Sequence, residues 1–234
     1  MSLQPTIVAI GGGELGPHDT AGIDQYIIRL PGKTNPHVLF IPTASRDSAE
    51  YMGRFQHWYS SYGCTVRHLM LAHQEYTRAE LESAVAESDI IYVGGGNTLF
   101  LYNYWLTMKL DEVLHAAWKQ GTIIAGLSAG CNIWHTRYLT DSIAGEWRMG
   151  YGLGWLPGFV TPHYDSESER QPVFREIVKQ RHLEGLALDD CTAAVYRDTQ
   201  LAEIIATATH RQAYRVQLQG DTVVSTQLPK RVVG

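Results

Sequence analysis

One serine of this chain stands in a context that could make it a nucleophile. Residues Gly126–Gly130 read G-L-S-A-G, a G-x-S-x-G motif that follows an apolar run and precedes a predicted helix at Ala129–Thr136. A sharp turn from strand to helix exposes the serine hydroxyl at the sheet edge, and small neighbours leave room for a substrate. The N–H groups and positive dipole of the helix N-terminus would stabilise an oxyanion there. The motif predicts that Ser128 is a nucleophile, with a plain tight turn as the alternative.

A serine hydroxyl is a weak nucleophile at neutral pH and needs a base. Of the ten histidines in the chain, His163 is favoured because it follows the short apolar run Phe159–Thr161 and would stand at a strand end. His135 is a poorer candidate, since it lies two turns along the predicted helix that starts beside Ser128. A solvated or structural histidine is the alternative for His163.

The base needs an acid that orients its ring. Asp189 and Asp190 follow the apolar residues Leu186–Leu188 and precede another predicted strand, so one of them could face the site. An ordinary polar turn is the alternative interpretation of this pair. Cys131 is a weaker candidate nucleophile, because three residues past Ser128 on a helix it should lie behind the turn.

A glycine run follows another apolar strand. Residues Gly94–Thr98 read G-G-G-N-T, and glycine lets a backbone approach a ligand closely and present its N–H groups. One of these N–H groups could form an oxyanion hole together with that of Ala129. The alternative is a tight turn in which Asn97 or Thr98 caps the next helix.

A second glycine run, Gly11–Gly16, matches the dinucleotide-binding pattern G-x-G-x-x-G. That interpretation requires an acid at the end of the second strand, and Phe40–Ser45 contains none. Pro17 would also interrupt the helix that should follow the glycines. We therefore expect no dinucleotide, and because no Cys, His or acid spacing resembles a metal site, no cofactor and no metal.

The composition excludes several classes of protein. The 234 residues are 44% hydrophobic and 18% charged, with a formal net charge of −5, so they can bury a core but offer no basic stripe for nucleic acid. The three cysteines are scattered, the apolar stretch near the N-terminus is interpreted as a buried strand, and no apolar segment approaches the length of a membrane span, so we expect neither a signal peptide nor a transmembrane segment. We expect a cytoplasmic monomer or small homo-oligomer without nucleic-acid or membrane partners.

Apolar runs alternate with helical patterns over the first two-thirds of the chain, which predicts right-handed βαβ units. The predicted fold is a doubly wound α/β/α sandwich with a parallel sheet, as one domain over residues 1–234. Ser142–Pro157, rich in glycine and tryptophan, is interpreted as a long loop. The short β-type runs after residue 192 are interpreted as a C-terminal β extension. Functional residues of such sheets gather at the carboxyl ends of the strands.

Together the motifs resemble the peptidase E family. Four of them follow one another in the family's order within residues 6–196: Ile10–Gly13, Ile41–Ser45, Tyr92–Thr98 and Gly126–Gly130. The family includes α-aspartyl dipeptidases and cyanophycinases. Its fold resembles that of class I glutamine amidotransferases, with serine in place of their cysteine.

The resemblance implies roles for five residues. Ser128 matches the family nucleophile and His163 matches its base. Asp190 aligns best with the family's acid, usually a glutamate, although the preceding aspartate stays possible. Gly96 and Ala129 match the amides of the oxyanion hole.

The resemblance also implies how a substrate is held. Aspartyl dipeptidases bind an N-terminal aspartate partly through an arginine downstream of the histidine, and Arg170 follows His163 by seven residues. Arg170 and Asn97 are therefore the candidate substrate-binding residues, although a solvated first-turn arginine is an equally good interpretation. Three acidic neighbours would weaken the capture of an anionic substrate: Asp165, Glu167 and Glu169.

Three functions are compatible with these observations. The leading one is a serine exopeptidase that acts on short peptides, including those with N-terminal aspartate, through an acyl-enzyme. The second keeps the serine chemistry but acts on an isopeptide polymer or a small amide. The third is a non-catalytic ligand-binding protein on an amidotransferase-like fold, suggested by the aspartate in place of glutamate.

Overall fold

A computed structural model describes residues 4–14, 18–143 and 145–234. The strands are β1 (Thr6–Ile10), β2 (His37–Ile41), β3 (Thr65–His68), β4 (Ile90–Val93), β5 (Ile123–Leu127), β6 (His135–Ile143), β7 (Glu146–Tyr151), β8 (Leu156–Thr161), β9 (Glu184–Leu188), β10 (Thr192–Arg197), β11 (Gln200–Ala206), β12 (Ala213–Gln219), β13 (Thr222–Gln227) and β14 (Lys230–Val232). The helices are α1 (Ala21–Arg29), α2 (Ala49–Ser61), α3 (Arg78–Ala86), α4 (Thr98–Met108), α5 (Leu110–Lys119), α6 (Ala129–Asn132) and α7 (Arg170–Arg181). Residues 15–17, which include the last glycine of the rejected dinucleotide pattern and the proline that follows it, lie outside the described residues.

The larger sheet confirms the predicted α/β class. Its order is β14-β11-β10-β1-β5-β4-β2-β3, and β1, β5, β4, β2 and β3 are parallel. Successive residues of β1 belong to different hydrophobic cores. Ile7 packs in one core with residues of α4 and α5, and Val8 packs in another with residues of α1 and α2, so helices cover both faces of the sheet. Because the parallel strands share one direction, the ends of β1, β4 and β5 meet at one edge.

A second sheet corrects the prediction for the later part of the chain. Its order is β13-β12-β9-β8-β6-β7, and β7 pairs antiparallel with β6 inside the segment that we interpreted as a loop. The physical signal is an alternation in β7, where Trp147 and Met149 are half-buried while Glu146 and Arg148 are exposed. This pattern is typical of a strand with one covered face.

The C-terminal strands do not form a separate extension. Strands β10, β11 and β14 join the larger sheet, with β10 antiparallel to β1, whereas β12 and β13 form a hairpin and join the second sheet. The helix predicted at Ala129–Thr136 ends at Asn132, because the chain leaves it to start β6. None of the helices in the described residues is long and apolar enough to cross a membrane.

Candidate active site

Ser128 occupies a strained turn between β5 and α6. Its backbone has φ 56° and ψ −105°, a conformation that costs a non-glycine residue on the order of 1–3 kcal/mol. The motif glycines make the turn possible: a Cβ on Gly126 would lie 2.3 Å from the carbonyl oxygen of Gly130, and one on Gly130 would lie 2.3 Å from that of Val93. The turn is therefore packed so tightly that neither glycine can carry a side chain.

His163 follows β8 and reaches the serine. Its Nε2 lies 2.8 Å from Ser128 Oγ, and its Nδ1 lies 2.6 Å from Asp190 Oδ1. A carboxylate at Nδ1 favours the tautomer that carries its hydrogen there, which leaves Nε2 free to accept the serine proton. The structure thus brings three sequence-predicted residues into one hydrogen-bonded chain.

The environment of Asp190 favours its ionised form. Burial on its own raises the pKa of this carboxyl group, but the hydrogen bond and the charge of His163 outweigh burial, so the pKa of Asp190 is lower than usual. Its backbone N–H also donates to Asp165 Oδ1 at 2.8 Å, and Asp165 pairs with Arg211. These contacts fix the turn between β9 and β10 so that the carboxylate faces the imidazole.

Asp189, the alternative acid, points elsewhere. Its Oδ2 accepts a hydrogen bond of 2.8 Å from the backbone N–H of Gln212, and only 4% of the residue is exposed. Burial raises the pKa of Asp189 to about 6, although the Gln212 N–H opposes this. The two neighbouring aspartates thus have different partners, and Asp190 is the one that contacts His163.

The raised pKa of Asp189 predicts a pH dependence of stability. Between pH 4 and pH 6 the folded protein keeps a proton that the unfolded chain releases, so the free energy of unfolding should fall as the pH rises through this window. Asp189→Asn removes this contribution, so relative to wild type it should gain stability, on the order of 1–3 kcal/mol, between pH 4 and pH 7. Urea unfolding at several pH values measures the effect. The exposed Asp198→Asn serves as the control, and parallel profiles for Asp189→Asn and wild type would refute the prediction.

The glycine run after β1 borders the site, but the sequence analysis assigned none of its residues a role there. A Cβ on Gly12 would lie 1.9 Å from Asp190 Oδ1 and 2.4 Å from His163 Nδ1. The carbonyl oxygens of this run also anchor both partners: Gly11 accepts from the His163 N–H and Gly12 from the Cys191 N–H, each at 2.9 Å. Because the sequence shows neither contact, the only available signal was three glycines at the end of a central strand.

The second glycine run lies beside the nucleophile. A Cβ on Gly95 would lie 3.3 Å from Ser128 Cβ. Gly96 has φ 136°, and a Cβ there would lie 2.3 Å from the carbonyl oxygen of Ala44, so this position requires glycine. Ala129 is the first residue of α6, where a backbone N–H has no acceptor within the helix. Both predicted oxyanion amides therefore lie in segments that border Ser128.

Asn97, a predicted substrate-binding residue, has a structural role at the start of α4. Its Oδ1 accepts a hydrogen bond of 2.8 Å from the Phe100 N–H, which makes it the N-cap of α4. Asparagine is a preferred N-cap because its side-chain oxygen satisfies a free N–H of the first turn. The helix cap, which was the alternative interpretation, is what the structure shows.

Arg170, the other predicted substrate-binding residue, is buried. It is only 4% exposed, and its guanidinium donates to Glu167 Oε2 at 2.7 Å and to Thr161 Oγ1 at 3.1 Å. Trp147 covers the guanidinium plane at 4.4 Å. An arginine with these contacts is not free to form a fork with a substrate carboxylate, so Arg170 is a structural residue that ties α7 to β7 and β8.

A cavity of about 330 Å³ opens at Ser128. We name it the Ser128 cavity, and its lining residues are Gly13, Glu14, Ser48, Glu50, Tyr51, Arg54, Gly95, Leu127, Ser128 and His163. Three of these carry charged groups on its wall: Glu14 is exposed, while Glu50 pairs with Arg54 at 2.5 Å along α2. The sequence analysis did not identify these residues, although the i,i+4 spacing of Glu50 and Arg54 was visible. A larger groove of about 610 Å³ beside α4 shares no lining residue with this cavity.

The other candidate groups lie away from the cavity. Cys131 is fully buried, and burial raises the pKa of its thiol, so a reactive thiolate is disfavoured. His135 is also buried, with its Nδ1 3.0 Å from the Cys131 carbonyl oxygen and its Nε2 3.1 Å from Tyr196 Oη. Burial lowers the pKa of His135 to about 4. Neither side chain is placed to act at a substrate beside Ser128.

Comparisons with known proteins agree with this architecture. A Bacillus subtilis (strain 168) protein named uncharacterized peptidase YgaJ is 37% identical over 230 residues, 97% of this chain and 99% of its own. A probable alpha-aspartyl dipeptidase of Drosophila melanogaster is 31% identical over 131 residues, 54% of this chain and 52% of its own. The crystal structure of a peptidase from an acI-B1 actinobacterium shares the fold with a TM-score of 0.72 at 20% identity, covering 96% of this chain and 98% of that one.

A family model matches the greater part of the chain. The model of peptidase family S51 matches residues 7–204, which include β1, the Ser128 turn, His163 and the turn that carries Asp190. This match confirms the resemblance that the motifs indicated. The chain belongs to peptidase family S51.

Proposed function

We propose that this chain is a serine exopeptidase of the dipeptidase type, which hydrolyses short peptides through an acyl-enzyme on Ser128. The observation that carries the proposal is the hydrogen-bonded chain from Ser128 Oγ to His163 Nε2 and from His163 Nδ1 to Asp190, with 2.8 Å and 2.6 Å between the atoms. The family match supports peptidase chemistry. Helices on both faces of the larger sheet support the resemblance to the class I glutamine amidotransferase fold.

The proposed reaction has two halves. Ser128 Oγ bonds to the peptide carbonyl carbon while its proton passes to His163 Nε2, and the carbonyl oxygen takes the negative charge. The N–H groups of Gly96 and Ala129 stabilise that charge. The C–N bond then breaks as His163 returns the proton to the departing amine. In the second half water attacks the ester, its proton passes to His163, and Ser128 Oγ leaves with that proton.

The Ser128 cavity supports a small substrate with a free N-terminus. Its volume of about 330 Å³ is at the lower end of small-molecule sites. Glu14 and Glu50 supply carboxylates that can pair with an α-ammonium group, and Arg54 is a cation that can face a substrate carboxylate. Since Arg170 is buried, an N-terminal aspartate would rely on Arg54.

A dipeptide panel tests this function. Asp-Leu, Leu-Leu and their N-acetylated forms are incubated with the wild type and with Ser128→Ala, and free leucine is measured. We expect leucine release from the free dipeptides only, and only with wild type, because acetylation removes the positive charge. Release that persists in Ser128→Ala, or equal release from acetylated peptides, would contradict the proposal.

An isopeptide that carries a basic side chain is the second candidate substrate. The observation in its favour is the excess of carboxylates on the cavity wall, where the lining includes two glutamates, Glu14 and Glu50, but one arginine, Arg54. A β-linked Asp-Arg dipeptide added to the same panel distinguishes the two. Faster release of arginine from this compound than of leucine from the α-linked dipeptides would favour the isopeptide function.

Gly12 offers a test of the proposed acid–base pair. Gly12→Ala places a methyl group where Asp190 and His163 meet, so the pair must move apart, and a shift of about 1 Å can cost about 10²-fold in rate. We expect kcat/KM to fall by about that factor. The control is Gly53→Ala, on the exposed side of α2, where a Cβ contacts nothing within 4 Å. Wild-type kcat/KM in Gly12→Ala would show that the site tolerates the displacement.

A further inference from the structure

Tyr51 is held rigidly at the wall of the Ser128 cavity. It lies in the first turn of α2, and its ring meets Phe40 edge-on with 5.1 Å between the centroids. A Cβ on Gly94 would lie 2.8 Å from Tyr51 Cε1, so the second glycine run leaves the space that this ring fills. The ring therefore has one position, and the hydroxyl group is fixed with it.

The Tyr51 hydroxyl is already engaged on its acceptor side. The Gly95 N–H donates to Tyr51 Oη at 3.1 Å, and Gly95 is the residue that packs against Ser128 Cβ. A phenol has one proton as well as its lone pairs, and this hydrogen bond uses a lone pair. In the described part of the chain, the structure shows no acceptor for the Tyr51 proton. That proton is available to a molecule in the cavity.

The hydroxyl also stays protonated under working conditions. Burial raises the pKa of Tyr51 to about 12, with the Gly95 N–H opposing the rise. A fixed donor that needs no reorganisation is the kind of group that stabilises charge developing in a transition state. Tyr51, Gly95, Ser128 and His163 line the same cavity, so such charge would arise close by.

We propose that Tyr51 is a further catalytic residue whose hydroxyl donates a hydrogen bond to the oxyanion formed when Ser128 attacks. The same oxygen accepts from the Gly95 N–H and so fixes the Gly94–Gly95 peptide, which directly precedes the Gly96 N–H of the proposed oxyanion hole. This inference rests on the proposed function, because it requires an acyl-transfer step at Ser128.

Tyr51→Phe tests the inference, since it keeps the ring and removes the hydroxyl. We expect kcat to fall by about 10²-fold, affinity for a peptide boronic acid to fall similarly, and KM to change by less than about threefold. Tyr62→Phe, whose hydroxyl contacts His18 instead of the cavity, is the matched control with wild-type kinetics expected. Unchanged kcat and unchanged boronic acid affinity in Tyr51→Phe would overturn the inference. A rise in KM as large as the fall in kcat would overturn it as well.

A second variant separates donation to substrate from support of Gly95. Replacing Tyr51 with 3,5-difluorotyrosine keeps the oxygen as an acceptor but makes the phenol more acidic. Donation to the oxyanion predicts that kcat falls at a lower alkaline pH than in wild type, whereas a supporting role predicts an unchanged profile and would overturn the inference. If the wild type shows no turnover that depends on Ser128, the proposed function is wrong. If Tyr51→Phe turns over substrate as fast as the wild type, only the role of Tyr51 is wrong.

Discussion

Replacing Ser128 with alanine is expected to lower kcat by at least about 10⁴-fold while the protein stays folded. The alanine removes the oxygen that bonds to the carbonyl carbon, and water held by the remaining groups replaces it poorly. Any residual rate then comes from the oxyanion hole and substrate binding alone. Dipeptide turnover measures the loss, and thermal unfolding verifies the fold.

The backbone at Ser128 provides a matched comparison. Alanine is strained at φ 56° as serine is, whereas glycine adopts this conformation readily. We expect Ser128→Gly to be as inactive as Ser128→Ala but to have a free energy of unfolding higher by roughly 1 kcal/mol. Equal stability of the two variants would show that the turn stores little strain. Turnover in either variant would contradict the assignment of Ser128 as nucleophile.

Replacing Asp190 with asparagine should have the second largest effect, a loss in kcat of about 10⁴-fold. An amide N–H at His163 Nδ1 favours the tautomer with its hydrogen on Nε2, the atom 2.8 Å from Ser128 Oγ, so the imidazole no longer accepts the serine proton. The imidazolium that forms during the reaction also loses its counter-charge. The measurement is the pH profile of kcat in the variant and the wild type.

The neighbouring aspartate is the control for this prediction. Asp189→Asn alters a buried carboxylate that bonds the Gln212 N–H, so kcat should change by less than about threefold. If Asp189→Asn were the inactive variant and Asp190→Asn the active one, the structural assignment of the acid would be wrong. The paired comparison also controls for general loosening of the turn, because both residues belong to it.

Asp190 reaches His163 because the turn between β9 and β10 lies close to the end of β1. The N–H of Cys191 donates to the carbonyl oxygen of Gly12 at 2.9 Å, which brings the start of β10 against the end of β1. The absence of a side chain at Gly12 then lets the carboxylate approach Nδ1 to 2.6 Å. An aspartate, although shorter than the family's usual glutamate, therefore still reaches His163 Nδ1.

Local patterns predicted the elements that carry the candidate site. Ser128, His163 and Asp190 each follow a short apolar run, and such runs become strands whose ends can gather at one edge. The residue pattern alone left open the choice between Asp189 and Asp190, and only the family resemblance favoured Asp190, because the choice depends on which carboxylate accepts from the Gln212 N–H. Similarly, the contact of Gly12 with the acid–base pair joins residues more than 150 positions apart.

The strand that the sequence analysis interpreted as a loop accounts for the burial of Arg170. Strand β7 was hidden by its glycine and tryptophan content, although Trp147 and Met149 alternate with exposed charges. Because Trp147 on this strand covers the Arg170 guanidinium, an arginine that looked solvated and free is in fact buried. The contact between Trp147 on β7 and Arg170 at the start of α7, which local sequence patterns do not show, therefore decides the environment of this arginine.

Labelling with a fluorophosphonate probe, followed by peptide mass analysis, tests the central claim most directly. The account predicts one adduct on the folded wild type, located at Ser128, absent from Ser128→Ala, and formed far more slowly in His163→Ala and Asp190→Asn. Cys131→Ala should label as the wild type does, because its thiol is buried. A folded wild type that gains no adduct, or gains one at another residue, would contradict the assignment of Ser128 as the nucleophile of this peptidase.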